Sequence, residues 1–141
     1  MTRGQLWALV CAVGMCGLSG CGQDEPTQPL GDTTIQVDTS LAQFSVLGTV
    51  GGWVALESGD LFGLPPHGVF ILRTAPDGVL VLDRSCTFEQ CQVEPFAGSR
   101  ATCPCSGTQY NFDGVPVQGP ALFPLTVYPS SIDGNLVEFT V

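Results

Sequence analysis

Four cysteines stand in two short clusters in the second half of the chain. Cys86 and Cys91 have four residues between them, and Cys103 and Cys105 have one, within the stretch CTFEQCQVEPFAGSRATCPCSG. Closely spaced thiolates can hold zinc or an iron–sulfur cluster, and the same side chains form disulfides in an oxidising compartment. The x4 and x1 spacings do not suit a zinc ribbon, so zinc binding is a minor alternative for these residues.

The N terminus has the pattern of a targeting segment. Arg3 supplies a positive charge, and residues 6–18 form an apolar run that is too short for a comfortable membrane span. The run ends in LSGC, which resembles the bacterial lipobox, whose cysteine receives lipid before the peptide ahead of it is removed. We therefore predict a lipoprotein signal peptide at 1–20, a lipidated Cys21 and a position on the periplasmic or extracytoplasmic side of a bacterial cell envelope.

The remaining sequence divides into a tether and one domain. Residues 22–32 (GQDEPTQPLGD) are polar, contain two prolines and carry no aromatic side chain, which predicts a flexible tether of 21–32 that includes the lipidated cysteine. The domain is predicted at 33–141. Cys11 and Cys16 would leave with the signal peptide and Cys21 would carry lipid, so an even number of cysteines reaches the oxidising compartment.

Charge and composition exclude some functions and favour a class of fold. The chain of 141 residues has no lysine, and 4 arginines against 13 acidic residues give a net charge of −9, which argues against a nucleic-acid partner. With 18 glycines and 11 prolines, the sequence past the signal segment has no long run of helical period. We predict an all-β domain of about nine short antiparallel strands.

The clearest local signal is a β-hairpin. Two apolar runs at 69–74 and 79–83 flank the sequence APDG, and Pro-Asp-Gly between such runs is typical of a tight hairpin turn. The end of the domain is predicted to place Leu136, Phe139 and Val141 in the core. Further strands are predicted at 33–38, 44–50, 53–57, 108–112, 115–117, 122–128 and 136–141, with a turn at 132–134.

The cysteine clusters resemble the two cluster-binding boxes of the Rieske iron–sulfur family. The family box Cys-x-His-x-x-Cys reads CTFEQC at 86–91 here, and the family box Cys-x-Cys-His-Gly reads CPCSG at 103–107. The likeness continues through TQYNFDG at 108–114 and GPA at 119–121, and covers roughly residue 86 to the C terminus. The resemblance implies a Rieske-like fold in which the two boxes form loops that meet in a tip subdomain.

One departure from the family concerns the cofactor. In Rieske centres one iron is bound by two Cys and the other by two His. Phe88 and Ser106 occupy the two His positions here, and the single histidine, His67, lies in a proline-rich connector outside both boxes. A phenyl ring has no lone pair for a metal, so we expect neither a metal nor another cofactor. If a [2Fe–2S] cluster is present after all, Cys86 and Cys103 are the expected ligands.

The resemblance also implies how the cysteines pair. The second cysteine of each box forms a disulfide in the family, which gives Cys91–Cys105 here. Closing a loop of about 15 residues is worth roughly 3 kcal/mol in the chain-entropy model. Cys86 and Cys103 should then lie close together, either as a second disulfide or as two reduced thiols. Tyr110, like Thr108, matches a family position whose hydroxyl bonds to cluster or cysteine sulfur.

The sequence leaves two classes of function open. One is a cluster-free binding or structural module, stapled by a disulfide and tethered to a membrane through lipid on Cys21, with a protein partner at the tip loops. The other is a [2Fe–2S] electron-transfer protein of a quinol–cytochrome or arsenite-oxidase type. No Ser–His pair or other catalytic constellation is apparent, so the chain is not expected to be an enzyme.

Overall fold

A computed structural model describes residues 32–141 of the chain. The predicted signal peptide at 1–20 and all but the last residue of the predicted tether at 21–32 lie outside the described residues. Within 32–141, no helix is long and apolar enough to cross a membrane. The predicted all-β class is confirmed, since this part of the chain has ten short strands in three antiparallel sheets and a single short 3-10 helix.

The central sheet contains the predicted hairpin and has apolar side chains on both faces. Successive residues of a strand point to opposite faces, so Phe70 and Leu72 join one buried cluster while Val69 and Ile71 join another. A sheet covered on both sides accounts for the continuous apolar runs in the sequence. Its strands, in spatial order, are β2 (Trp53–Leu56), β3 (Val69–Ala75), β4 (Gly78–Asp83) and β8 (Val127–Tyr128).

A second sheet packs on one face of the central sheet. Its strands alternate between buried and exposed positions, with Ile35, Val37, Val137 and Phe139 directed into the shared core. The same core receives Phe44 and Leu47 of the 3-10 helix at Ala42–Gly48. The strands, in spatial order, are β1 (Thr34–Asp38), β10 (Leu136–Thr140) and β9 (Ser130–Asp133).

The third sheet forms the tip subdomain together with the two cysteine loops. Ala101 and Tyr110 from this sheet are fully buried, and they share a core with Phe70 and Leu82 of the central sheet. The tip is therefore anchored to the opposite face of the central sheet from β1 and β10. Its strands, in spatial order, are β5 (Ala101–Thr102), β6 (Gln109–Tyr110) and β7 (Pro116–Gln118).

Three predictions from the sequence were wrong in the base of the domain. The run at 44–50 is mostly 3-10 helix instead of strand, because Phe44 and Leu47, three residues apart, both reach the core. The predicted turn at 132–134 begins late, since residues up to Asp133 pair with β10. Leu136 is 40% exposed, and its neighbour Val137 is buried instead, because the strand register places odd-numbered residues inward.

A fourth prediction was wrong beside the tip. Of the strand predicted at 122–128, only Val127 and Tyr128 pair with β4, and the residues before them form a loop. Leu122 and Phe123 are 84% and 70% exposed, so their apolar character does not reflect a buried strand.

Candidate functional site

The two cysteine boxes fold into loops of the same backbone geometry. In the first loop, the N–H of Cys86 donates to the carbonyl of Cys91, and the N–H of Gln90 donates back to the carbonyl of Cys86, at 2.8 and 2.9 Å. The second loop repeats this pattern. The N–H of Cys103 donates to the carbonyl of Thr108, and the N–H of Gly107 donates to the carbonyl of Cys103, both at 2.8 Å. The first cysteine of each loop therefore points inward from an equivalent position.

Each loop closes through a residue in the left-handed region. Gln90 has φ of 54° and Gly107 has φ of 73°. Gln90 is the one non-glycine residue with positive φ in the described part of the chain. A left-handed glutamine costs energy that glycine would avoid, so the closing bonds between Cys86 and Cys91 must hold it in place.

A disulfide joins the two loops. Cys91 and Cys105 are bonded, with their Cα atoms 6.3 Å apart, so the pairing implied by the family resemblance is confirmed. The carboxylate of Glu89 lies within 4.8 Å of both sulfurs. This cluster does not offer a metal site, because disulfide sulfurs are not thiolate ligands, and the zinc alternative loses two of its four cysteines.

Cys86 and Cys103 are two reduced, buried thiols in the structure. Their exposed fractions are 1% and 0%, and both side chains belong to one buried cluster. Burial raises the pKa of the Cys86 thiol. The Cys103 thiol, the backbone N–H of Glu89, the Tyr110 hydroxyl and the N–H of Phe88 outweigh burial and lower the pKa from 9.0 to about 7. Cys86 and Cys103 are not bonded to each other in the structure.

Tyr110 links the first loop to the loop that follows β7. The hydroxyl of Thr87 donates to the carbonyl of Phe123 at 2.7 Å, so Tyr110 is the donor in its 2.9 Å contact with Thr87 Oγ1. The Tyr110 oxygen also accepts the N–H of Thr87 and lies 3.5 Å from Cys86 Sγ. Burial raises the pKa of Tyr110, which keeps the phenol protonated at neutral pH.

The two positions of the missing histidines have different surroundings. Phe88 is 52% exposed on the tip. Ser106 is partly buried, with its hydroxyl oxygen 2.9 Å from Thr108 Oγ1 and 3.6 Å from Cys86 Sγ. Thr108 Oγ1 already accepts the N–H of Ala121 at 3.3 Å. If Thr108 then donates to Ser106, the Ser106 proton is free for the cysteine sulfur.

These residues do not fit a [2Fe–2S] cluster of the two-Cys, two-His kind. An iron bound by two His needs two imidazole nitrogens, and Phe88 has no donor atom while Ser106 offers a neutral hydroxyl. His67 lies in the connector between β2 and β3, where its carbonyl accepts a hydrogen bond from Gln92 at 3.1 Å. The two buried thiols are the only part of the family ligand set that the described residues retain.

The segment at 119–121 lies against the second loop. Gly119 has φ of 100°, and a Cβ built on it would lie 2.5 Å from the Cα of Thr108. Only glycine permits this approach. Since Thr108 also receives the N–H of Ala121 through its hydroxyl, the segment and the second loop form one packed unit.

Arg84 anchors the first loop to the central sheet, and the sequence analysis missed it. It is the largest fully buried side chain of the described residues, at 2% exposed. Its Nε and Nη2 donate to the carbonyl of Val93 at 3.1 and 2.9 Å, and Nη1 donates to Leu56 at 3.2 Å and to Glu57 at 2.7 Å. The guanidinium lies 5.1 Å from the centre of the Phe70 ring. A charged residue just after a strand usually marks an exposed end, so the sequence carried no distinguishing signal.

Comparison with solved structures finds similarity to a Rieske protein and to ferredoxins. The plasma-membrane Rieske protein PetC3 of the cyanobacterium Synechocystis PCC 6803 is similar at 28% identity, with 55% of this chain and 81% of that chain covered and a TM-score of 0.47. A ferredoxin of Sphingomonas yanoikuyae B1 is similar at 22% identity, with 63% and 84% covered and a TM-score of 0.43. The ferredoxin of carbazole 1,9a-dioxygenase from Nocardioides aromaticivorans IC177 is similar at 18% identity, with 76% and 96% covered and a TM-score of 0.49.

No protein-family model matches the sequence, and no curated protein matches it. The described residues have the antiparallel sheets, the two tip loops and the disulfide between them that the sequence resemblance to the Rieske family implied. The chain departs from the family pattern at residues 88 and 106, where Phe and Ser occupy the positions of the two His ligands.

Proposed function

We propose that this chain is a membrane-tethered binding or structural module with a Rieske-like domain that holds no iron–sulfur cluster, and that it is not an enzyme. The observation that carries the proposal is the missing nitrogen at both imidazole positions. Phe88 is half exposed, and the Ser106 hydroxyl is engaged with Thr108 and the Cys86 sulfur. The disulfide Cys91–Cys105 stabilises the tip without requiring metal.

Exposed apolar side chains on the tip support a protein partner there. Phe88 extends from the first loop and Phe123 from the loop after β7, at 52% and 70% exposed, with Leu122 at 84%. The bond from Thr87 to the carbonyl of Phe123 holds these two loops together. Aromatic residues are enriched at protein interfaces, so the tip offers a contact surface in the place where a working Rieske centre would expose its histidines.

The membrane attachment in this proposal is lipid on Cys21. Acyl chains that each bury many methylenes, at about 0.8 kcal/mol per methylene, would hold the chain at the envelope firmly. We expect the full chain to incorporate labelled palmitate in a bacterial host and to fractionate with membranes. Cys21→Ser should abolish the label and release the protein from the membrane fraction. Label retained in Cys21→Ser would show that this cysteine is not the attachment point.

The main experiment measures iron. The chain starting at Gly22, which omits Cys21, is purified aerobically, and its visible spectrum, iron and acid-labile sulfide are recorded. We expect a colourless protein without stoichiometric iron. A red-brown protein with about two irons per chain and a Rieske-type EPR signal would instead support the electron-transfer alternative, in which Cys86 and Cys103 hold the cluster with unusual additional ligands.

A gain-of-function variant tests whether restoring the two histidines restores cluster binding. If the missing nitrogens alone prevent cluster binding, Phe88→His combined with Ser106→His should take up iron and sulfide on reconstitution and become coloured. Either single variant supplies one imidazole and should remain colourless. Phe62→His is a matched control, because Phe62 is also an exposed phenylalanine, at 98%, but lies in the connector between β2 and β3. Iron uptake by the unmodified chain would contradict the proposal.

A further inference from the structure

Two buried thiols have no task in the proposed function. Cys86 and Cys103 open the two matching loops, are 1% and 0% exposed, and lie in the same buried cluster, where Cys103 is close enough to lower the pKa of Cys86. The other two tip cysteines are consumed in a disulfide. The disulfide alone is sufficient to stabilise the tip of a binding or structural module, so the two thiols are available to bind a ligand.

The number of donors selects the kind of ligand. Zinc in structural sites takes four protein ligands, and no third thiolate or imidazole is near the pair in the described residues. The neighbouring oxygens, from Ser106 and Tyr110, are neutral hydroxyls and are poor ligands for soft ions. Thiolates favour soft metal ions, of which Cu(I) is the biological example. A monovalent ion with a filled d shell can be stable with a coordination number of two, and this site supplies two thiolates.

The surroundings of the sulfurs suit the charge of such a complex. Binding of Cu(I) by two thiols releases two protons and leaves a bis-thiolate complex with a charge of minus one, without any change of oxidation state. A buried anion is costly unless hydrogen-bond donors face it. The Ser106 hydroxyl lies 3.6 Å from the Cys86 sulfur, and the nearby backbone N–H groups of Glu89 and Phe88 favour its thiolate by lowering the pKa of Cys86.

Cys86 also lies beside a groove at the surface. A groove of about 470 Å³ is lined by Cys86, Thr87, Gln90 and Phe123, among other residues. The Cys86 loop forms one wall of this groove and Cys103 does not line it, so Cys86, although only 1% exposed, is the nearer of the two cysteines to an ion in the groove. The buried second thiol would then complete the site.

We propose that Cys86 and Cys103 form a two-coordinate binding site for a Cu(I) ion at the tip of the domain. The site rests on the proposed function in one respect, because an iron–sulfur cluster would occupy the same two sulfurs. Ser106 is a positioning residue in this site, since its hydroxyl faces sulfur and does not bind the metal.

The test uses the full chain with Cys11, Cys16 and Cys21 replaced by serine, produced in an oxidising host and purified anaerobically in detergent. Free thiols are counted first, with two expected. Cu(I) is then supplied as its bicinchoninate complex, and transfer to the protein is followed by loss of the complex's colour. We expect one Cu(I) per chain, and X-ray absorption at the copper edge should show two sulfur neighbours.

Matched variants locate the ion. Cys86→Ser and Cys103→Ser should each abolish the transfer. The double variant Cys91→Ser with Cys105→Ser retains both proposed ligands and, kept reduced under anaerobic conditions, should still bind one Cu(I). Ser106→Ala retains both ligands and should weaken binding about tenfold, the loss expected for one hydrogen bond to a charged group. Near-ultraviolet circular dichroism of each variant verifies that it is folded.

The outcomes separate this inference from the proposed function. No copper transfer, transfer unaffected by either Cys86→Ser or Cys103→Ser, equal retention of Zn²⁺, or a thiol count of zero would each overturn the copper site while leaving a cluster-free module intact. Stoichiometric iron and sulfide in the purified chain would overturn the proposed function itself. One Cu(I), lost with either cysteine, establishes the site.

Discussion

Replacement of Arg84 by methionine should destabilise the domain far more than loss of its acidic partner. Methionine matches the buried stem of arginine but donates no hydrogen bond, so the carbonyls of Val93 and Leu56 lose their guanidinium donors. Each buried acceptor left unsatisfied costs about 1–3 kcal/mol. We expect Arg84→Met to lower the free energy of unfolding by about 3–4 kcal/mol.

The partner carboxylate provides the matched control. Glu57 is 57% exposed, so its ion pair with Arg84 is screened by solvent and is worth less than about 1 kcal/mol. Glu57→Gln also preserves an oxygen that can accept the 2.7 Å bond from Nη1. We therefore expect this variant to lose less than about 1 kcal/mol, several times less than Arg84→Met.

The assay is guanidinium unfolding of the chain starting at Gly22, which contains Trp53 as its one tryptophan. Trp53 packs edge-on against Phe96 with ring centroids 5.3 Å apart, so its fluorescence reports on the core beside the tip. For a domain of this size, 3–4 kcal/mol corresponds to a fall in Tm of about 15 °C. Equal losses in Arg84→Met and Glu57→Gln would refute the reasoning, because the ion pair would then outweigh the buried carbonyls.

Three further predictions concern the disulfide, a glycine and pH. Replacing Cys91 and Cys105 together by alanine should lower the free energy of unfolding by about 3 kcal/mol in guanidinium titrations, because an open unfolded chain has more conformational entropy. Gly119→Ala should cost about 2–3 kcal/mol in the same assay, since its Cβ would lie 2.5 Å from Thr108 Cα at a φ of 100°. The hydrogen bond from Arg84 holds the pKa of Glu57 below its ordinary 4.5. The small advantage of wild type over Glu57→Gln should therefore be present above pH 4.5 and disappear as pH falls through the lowered pKa, in unfolding titrations across pH.

Each of these predictions has its own control. Reductant should destabilise the wild type and leave the cysteine-to-alanine double variant unchanged; equal sensitivity would argue against the disulfide. Gly98→Ala also lies at positive φ, 64°, but its Cβ would meet nothing within 4 Å, so it should cost only about 1 kcal/mol. A Gly98→Ala loss as large as that of Gly119→Ala would mean that backbone strain, not the contact with Thr108, sets the cost. A constant difference between wild type and Glu57→Gln down to pH 2 would contradict the lowered pKa.

Local patterns predicted the parts of the fold that depend on neighbours in sequence. The hairpin at 69–83 follows from turn chemistry between two apolar runs, and β3 and β4 pair there as expected. The two cysteine boxes carry their own loop geometry in short spacings, so the disulfide was predictable from the resemblance. The strand predicted at 122–128 was largely wrong, because an apolar residue that is exposed on the tip, such as Phe123, cannot be distinguished in sequence from a buried strand residue.

The amino-acid sequence by itself determined the chemistry that is absent: no imidazole stands at residues 88 and 106, and no fold can supply one there. Only the tertiary structure decided what the remaining groups do. Residues distant in sequence bury Arg84 and accept its hydrogen bonds, which anchor the first loop to the central sheet. Packing of the two loops likewise buries Cys86 and Cys103 in one cluster and leaves them outside the disulfide. Such contacts depend on non-local packing, which short sequence patterns do not encode.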